Sequence, residues 1–192
     1  MKKFFAFILT ISLLGFASVK AQAESNTKDI ILQKLALYVP NVFLDALDTF
    51  SVTLGAGLNT EARLIGTRYL DFGLGVNASS ARAMKAYNRQ YGFAIDEGWY
   101  WSFAVLGDEE FTVRDSTSLV DKIVVTRGGL PEIGDRNYNI RTGARDMWAI
   151  GGALGLVVDG ELYIHPIDIA DFFTGLFLYD LKGDDLTFDD FR

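Results

Sequence analysis

From Phe50 onward the chain alternates between apolar and polar or small residues. Phe50, Val52, Leu54, Ala56 and Leu58 fall on one side of an extended chain, and Ser51, Thr53, Gly55, Gly57 and Asn59 on the other. In Thr60–Arg68 the period of two continues, with Glu61, Arg63 and Ile65 opposite Ala62, Leu64 and Gly66. In Tyr69–Ala78, Leu70, Phe72, Leu74, Val76 and Ala78 oppose Tyr69, Asp71, Gly73, Gly75 and Asn77. Successive side chains of a strand point to opposite faces, so these three segments predict an antiparallel meander that is apolar on one face.

The flanks read differently. Asp29–Val39 has near-helical apolar spacing and meets Pro40, which predicts a helix that stops there. Asn41 is placed to cap a second short helix over residues 42–50. Residues 81–107 predict at least two more strands, parted at Asp96-Glu97-Gly98, and residues 120–126 one more. Residues 127–146 gather Gly, Pro, Asn and Asp and predict a long loop. Residues 147–166 predict a hairpin turning at Asp159-Gly160. Pro166 opens a helix predicted to reach Leu181, with Ile169, Phe172, Phe173, Leu176 and Phe177 on its apolar face. The expected fold is mainly β with flanking helices (α+β). It is a curved antiparallel sheet or partial barrel with an N-terminal helix and a C-terminal aromatic amphipathic helix, the helices covering the apolar face.

The N-terminus carries Lys2 and Lys3, an apolar run from Phe4 to Phe16 and an Ala21-Gln22-Ala23 cleavage signature, so residues 1–23 read as a secretory signal peptide. Residues 24–192 then form one expected β-rich domain, its last residues from about 182 an acidic tail. Removing the signal's three lysines takes the formal net charge from −7 to −10, which excludes a nucleic-acid surface built on clustered Lys and Arg. The absence of cysteine excludes disulfides, thiol nucleophiles, iron–sulfur clusters and a lipidated-cysteine anchor, and a single histidine excludes a multi-histidine metal site.

Several segments carry candidate chemistry. Gly73–Ala78 fits G-x-G-x-x-A with Asp96 downstream, but the preceding strand alternates, whereas a nucleotide-binding parallel strand is buried on both faces. No nucleotide cofactor is therefore expected. Arg63, Arg68, Arg82, Lys85 and Arg89 concentrate positive charge in an acidic chain. They either meet anionic head groups or are neutralised across strands by Glu61, Asp71 and Asp96. Trp99 and Trp101 either stack on a ligand or fill the core, and Phe173 and Phe177 can meet lipid. A serine-hydrolase triad can use only His165, which lies near Asp168, and no G-x-S-x-G elbow accompanies it. No catalytic or metal-ligating residue is assigned.

Residues 44–76 and 165–185 together resemble a loose group of small exported bacterial envelope proteins without an assigned activity. The shared features are a helix with Asp, an abrupt glycine-rich meander and a closing ADFF-x-G-x-F…GDD segment. The resemblance implies no catalytic residues. The expected location is the periplasm or the outer-membrane surface, with a membrane lipid or an envelope protein as partner. The leading expectation is a non-catalytic envelope protein. The alternatives are an integral outer-membrane or small-ligand-binding barrel using the sheet interior and Trp99/Trp101, and a hydrolase using His165.

Overall fold

The computed structural model describes residues 27–117, 120 and 124–191; the signal-peptide segment lies outside them. Two compact units form. One runs from Asp48 to Ile167, and the other joins the described residues up to Leu47 to those from Asp168 onward.

The first unit is a six-stranded antiparallel sheet. Its strands are β1 (Phe50–Thr67), β2 (Leu70–Ala86), β3 (Gln90–Ala104), β4 (Leu106–Ser116), β5 (Val124–Gly129) and β6 (Ile150–Ile164), in the order β5-β4-β3-β2-β1-β6. The sequence breaks anticipated at Asn59-Thr60 and Asp96–Gly98 are not turns. They are bulges or irregular steps within long strands, with register shifts at Leu58/Asn59 in β1, Asn77/Ser80 in β2 and Ala94/Asp96 in β3. The turn between β2 and β3 instead sits at Tyr87–Arg89, where Asn88 and Arg89 adopt left-handed φ values of 53° and 61°.

Bulges bend strands, and here they align into a crease. β6 doubles back on itself: Gly155 lies against Asp159, and Gly151 against the backbone of Leu162 and Tyr163. The apex is Leu156–Val158, with Val157 at φ 71°, and not the anticipated Asp159-Gly160, both of which pair with β1. β1 follows round this apex, breaking its β6 register between Ala56 and Thr60. The concave face is tightly enclosed. Arg63 on β1 bonds Glu109 on β4, although three strand spacings in a flat sheet would separate them by about 14 Å.

The alternation read from the sequence holds, but its sense is reversed. Ser51, Thr53, Asn59, Glu61 and Arg63 of β1 are buried, and Leu54, Leu58 and Leu64 are exposed. β2 buries Asp71, Asn77, Ser80 and Arg82 and exposes Phe72, Leu74 and Val76. This corrects the expectation of an apolar face covered by helices: the polar face is the inside. The alternating glycines serve the same arrangement. A β-carbon on Gly75 would overlap the buried Tyr100 ring, and one on Gly55 the Asp159 carboxylate, so small residues make room for large inward polar side chains across the ladder.

The second unit holds α1 (Thr27–Ala36) and most of α2 (Tyr38–Asp48) and of α3 (Pro166–Gly175). Pro40 does not stop a helix. It occupies the first turn of α2, where no intrahelical donor is required of it. α3 ends at Gly175, short of the predicted Leu181, and Phe177 lies beyond it, next to Leu178 at φ 63°. Among the described residues no helix is long and apolar enough to cross a membrane.

Candidate functional site

The concave face carries charge in two clusters. In the first, the Arg63 guanidinium grips Asp71 through Nη2 at 2.5 Å and Nε at 3.0 Å and reaches Glu109 Oε2 at 3.3 Å. Arg68 and Arg127 approach the same Asp71 carboxylate at 3.4 and 3.6 Å, and Ser102 Oγ donates to it at 2.8 Å. The Tyr100 ring lies 4.4 Å from the Arg63 guanidinium carbon. The second cluster reverses the balance. Arg82 alone faces Asp96 at 2.8 Å, Asp159 at 3.4 Å, Glu61 at 3.5 Å and the Glu161 carboxylate, while Asn77 Nδ2 donates to Asp96 at 2.6 Å. Buried charges persist when they are paired, and both clusters pair them across neighbouring strands, although Glu109 Oε1 in the first and Glu61 Oε1, Arg82 Nη2 and Asp159 Oδ2 in the second are buried without a hydrogen bond.

Between the clusters lies a cavity of about 100 Å³. All six strands line it, with Thr53, Arg63, Arg82, Tyr100, Arg145 and Tyr163 among the contributors.

A third arrangement sits one inward step along β1 and β6. Ser51 Oγ lies 2.5 Å from His165 Nε2, and His165 Nδ1 lies 2.8 Å from Asp146 Oδ2. Ser51 is the first inward residue of β1, His165 directly follows β6, and Asp146 comes from the loop between β5 and β6. The acid partner anticipated near His165 was Asp168. That residue instead pairs with Lys182 Nζ at 2.8 Å in the other unit.

The predicted binding residues divide accordingly. Arg63, Arg68 and Arg82 point inward and are buried against acids, the second of the two arrangements their sequence left open. Arg89 is half-buried and bonds Asp48 at 2.7 Å. Trp99 and Trp101 face outward, in neither the core nor the interior, and lie beside Phe103 on an exposed stretch of β3. Phe173 and Phe177 are exposed. Sequence reasoning missed Ser51 and Asp146. Ser51 carried only its place on the polar face of β1 as a signal, and Asp146 none.

In the second unit, Asp171 accepts backbone N–H bonds from Leu181 at 2.7 Å and Lys182 at 3.0 Å. Its carboxyl lies above the ordinary range, pushed up chiefly by burial, against the pull of those two bonds. Asp185 is pushed up to about 6 by burial and by Asp180, Asp171 and Asp184, with Lys34 opposing. Two groups bring three carboxylates within 4.8 Å, Asp45–Asp171–Asp184 and Glu61–Asp159–Glu161, the spacing a divalent cation needs. Each already has an internal cation beside it, Lys182 at Asp184 and Arg82 at the second group. Comparison with known protein families, curated proteins and solved structures finds no match to this chain.

Proposed function

We propose that the sheet unit is embedded in a lipid phase of a bacterial cell envelope, with a binding or structural role there. One observation carries this reading: the outward face of β1, β2, β3 and β6 is apolar and exposed while the inward face is ionised and buried. Leu54, Leu58, Leu64, Leu74, Leu154, Leu156 and Leu162 alone are each 55–74% exposed. Moving them from water to hydrocarbon is worth on the order of 10 kcal/mol, as much as the whole stability of a typical domain. A surface of that kind belongs against lipid, and apolar-out, polar-in alternation is the pattern of strands in an outer membrane. Trp99 and Trp101 on that face, and Phe173 and Phe177 in the other unit, supply aromatic rings suited to a membrane interface. The exported, cysteine-free character read from the sequence supports the same compartment.

The test is fractionation of expressing cells followed by carbonate and urea washes. Retention in the outer-membrane fraction supports the proposal. A monodisperse protein in detergent-free periplasmic extract refutes it.

A further inference from the structure

The hydrogen bond between His165 and Asp146 has a defined direction, because a carboxylate oxygen only accepts. Asp146 uses Oδ2 to accept from Nδ1, and its Oδ1 accepts the Trp148 N–H at 2.9 Å, which fixes the carboxylate. In the tautomer that carries its proton on Nδ1, the Nε2 lone pair faces Ser51 Oγ and accepts from the hydroxyl. The backbone of His165 is anchored by its N–H to Thr49 O at 2.8 Å, and the Tyr87 ring packs against the imidazole with centroids 4.8 Å apart. Nucleophile, base and orienting acid are thus in the relation that activates a serine: one hydrogen bond from hydroxyl to base, and one from base to acid. They also follow one another along the chain as serine, acid, histidine.

A structural lock would need only satisfied polar groups. What points to chemistry is the adjoining cavity. It is lined by Thr53, the next inward residue after Ser51, by Tyr163, the inward residue before His165, and by Arg145, the neighbour of Asp146. Each member of the relay thus stands one or two positions along the chain from a residue that lines this cavity. A volume of about 100 Å³ equals roughly three waters, enough for a short acyl group and too small for a fatty chain. Arg145 brings a positive charge to that space, where a carbonyl oxygen turning into an oxyanion would need one.

We infer that Ser51, His165 and Asp146 form a serine-esterase site that takes small carboxylic esters. Ser51 Oγ attacks the ester carbonyl carbon and forms the acyl–oxygen bond, while its proton passes to Nε2. The tetrahedral oxyanion collapses, the bond to the alcohol oxygen breaks, and Nε2 returns the proton to that oxygen. Water, deprotonated by Nε2, then attacks the acyl-serine. The carboxylic acid leaves and Ser51 recovers its proton. Asp146 holds the tautomer and stabilises the imidazolium throughout.

The experiment uses the full chain in detergent micelles, so its result is independent of which cell fraction holds the protein. A fluorophosphonate probe is added and the adduct located by peptide mass spectrometry, and p-nitrophenyl acetate turnover is followed in parallel. The expected result is one adduct, on Ser51, and turnover that falls about 100-fold or more in Ser51→Ala and in the shape-preserving Asp146→Asn. The site is overturned if the wild-type protein, its tryptophans giving a native near-ultraviolet dichroism signal, takes no adduct or takes it on another serine. It is equally overturned if Ser51→Ala turns over as fast as wild type. Adduct mapping on wild type decides the matter even where Ser51→Ala fails to fold.

Discussion

Leu74 is the position at which lipid and water predict different outcomes. It lies outward on β2, 64% exposed, opposite Ala62 of β1 and Trp101 of β3. Replacing it by arginine removes little packing, because most of the side chain has no protein neighbour. In water such a surface change alters stability by within about 0.5 kcal/mol. At the midplane of a bilayer an outward arginine on a strand costs about 2–4 kcal/mol, a factor of roughly 30 to 900 in the folding equilibrium, and near the interface about 1 kcal/mol or less. The assay is urea unfolding of protein refolded into phospholipid vesicles, read by tryptophan fluorescence, for Leu74→Arg and for Leu70→Arg next to the β1–β2 turn. Leu74→Arg should lower the unfolding free energy by at least 2 kcal/mol, with a smaller loss for the variant nearer the turn. A loss below 0.5 kcal/mol for Leu74→Arg would refute the placement of this face in lipid.

Three further outcomes follow from the interior and from the second unit. Arg82→Met strips Glu61, Asp96, Asp159 and Glu161 of their shared cation and should cost about 3–5 kcal/mol in the same unfolding assay. Adding Asp96→Asn should then recover part of the loss, and a neutral Arg82→Met would contradict the pairing. Gly75→Ala drives a methyl into the Tyr100 ring and should cost about 1–3 kcal/mol, with coupling to Tyr100→Leu in a double-mutant cycle; additive losses would argue against the overlap. Asp185, at about 6 in the folded state, binds its proton more tightly there than in the unfolded chain. Its contribution therefore favours the fold below about pH 4 and is lost as the pH rises through 6. Amide exchange in α2, corrected for intrinsic rates, should be slower at pH 5 than at pH 7.5, and Asp185→Asn should abolish the difference. Faster exchange at pH 5 would reverse the assignment.

Which residues share a face was legible in the sequence, because the period of two is local: the grouping of Phe50–Ala78 onto two faces agrees with the burial. Which face is inside was not. Alternation says nothing about solvent, and the usual assumption that apolar faces inward is made for water. Arg63 with Asp71 and Arg82 with Glu61 and Asp96 were anticipated as cross-strand pairs, since opposite charges on paired strands neutralise one another. The crease escaped notice because a bulge and a turn both appear as a polar or glycine interruption. Asp146 was invisible for another reason. It reaches His165 only because the loop after β5 returns to the start of β1, a long-range closure with no local signature.

The reversed polarity of the sheet also bears on how the chain arrives at its fold. In water, hydrophobic collapse draws together Leu, Phe and Val, the very side chains the finished sheet turns outward, and leaves Arg63, Asp71 and Arg82 solvated. Collapse thus favours an inside-out arrangement. The pairing of β1 with β6 joins residues more than a hundred positions apart, such as Ser51 and Tyr163, and non-local contacts of this kind form slowly. If the outer face meets lipid as proposed, the chain has to be shielded until an apolar phase can receive that face. For such a sequence, the surrounding medium is part of the information that specifies the structure.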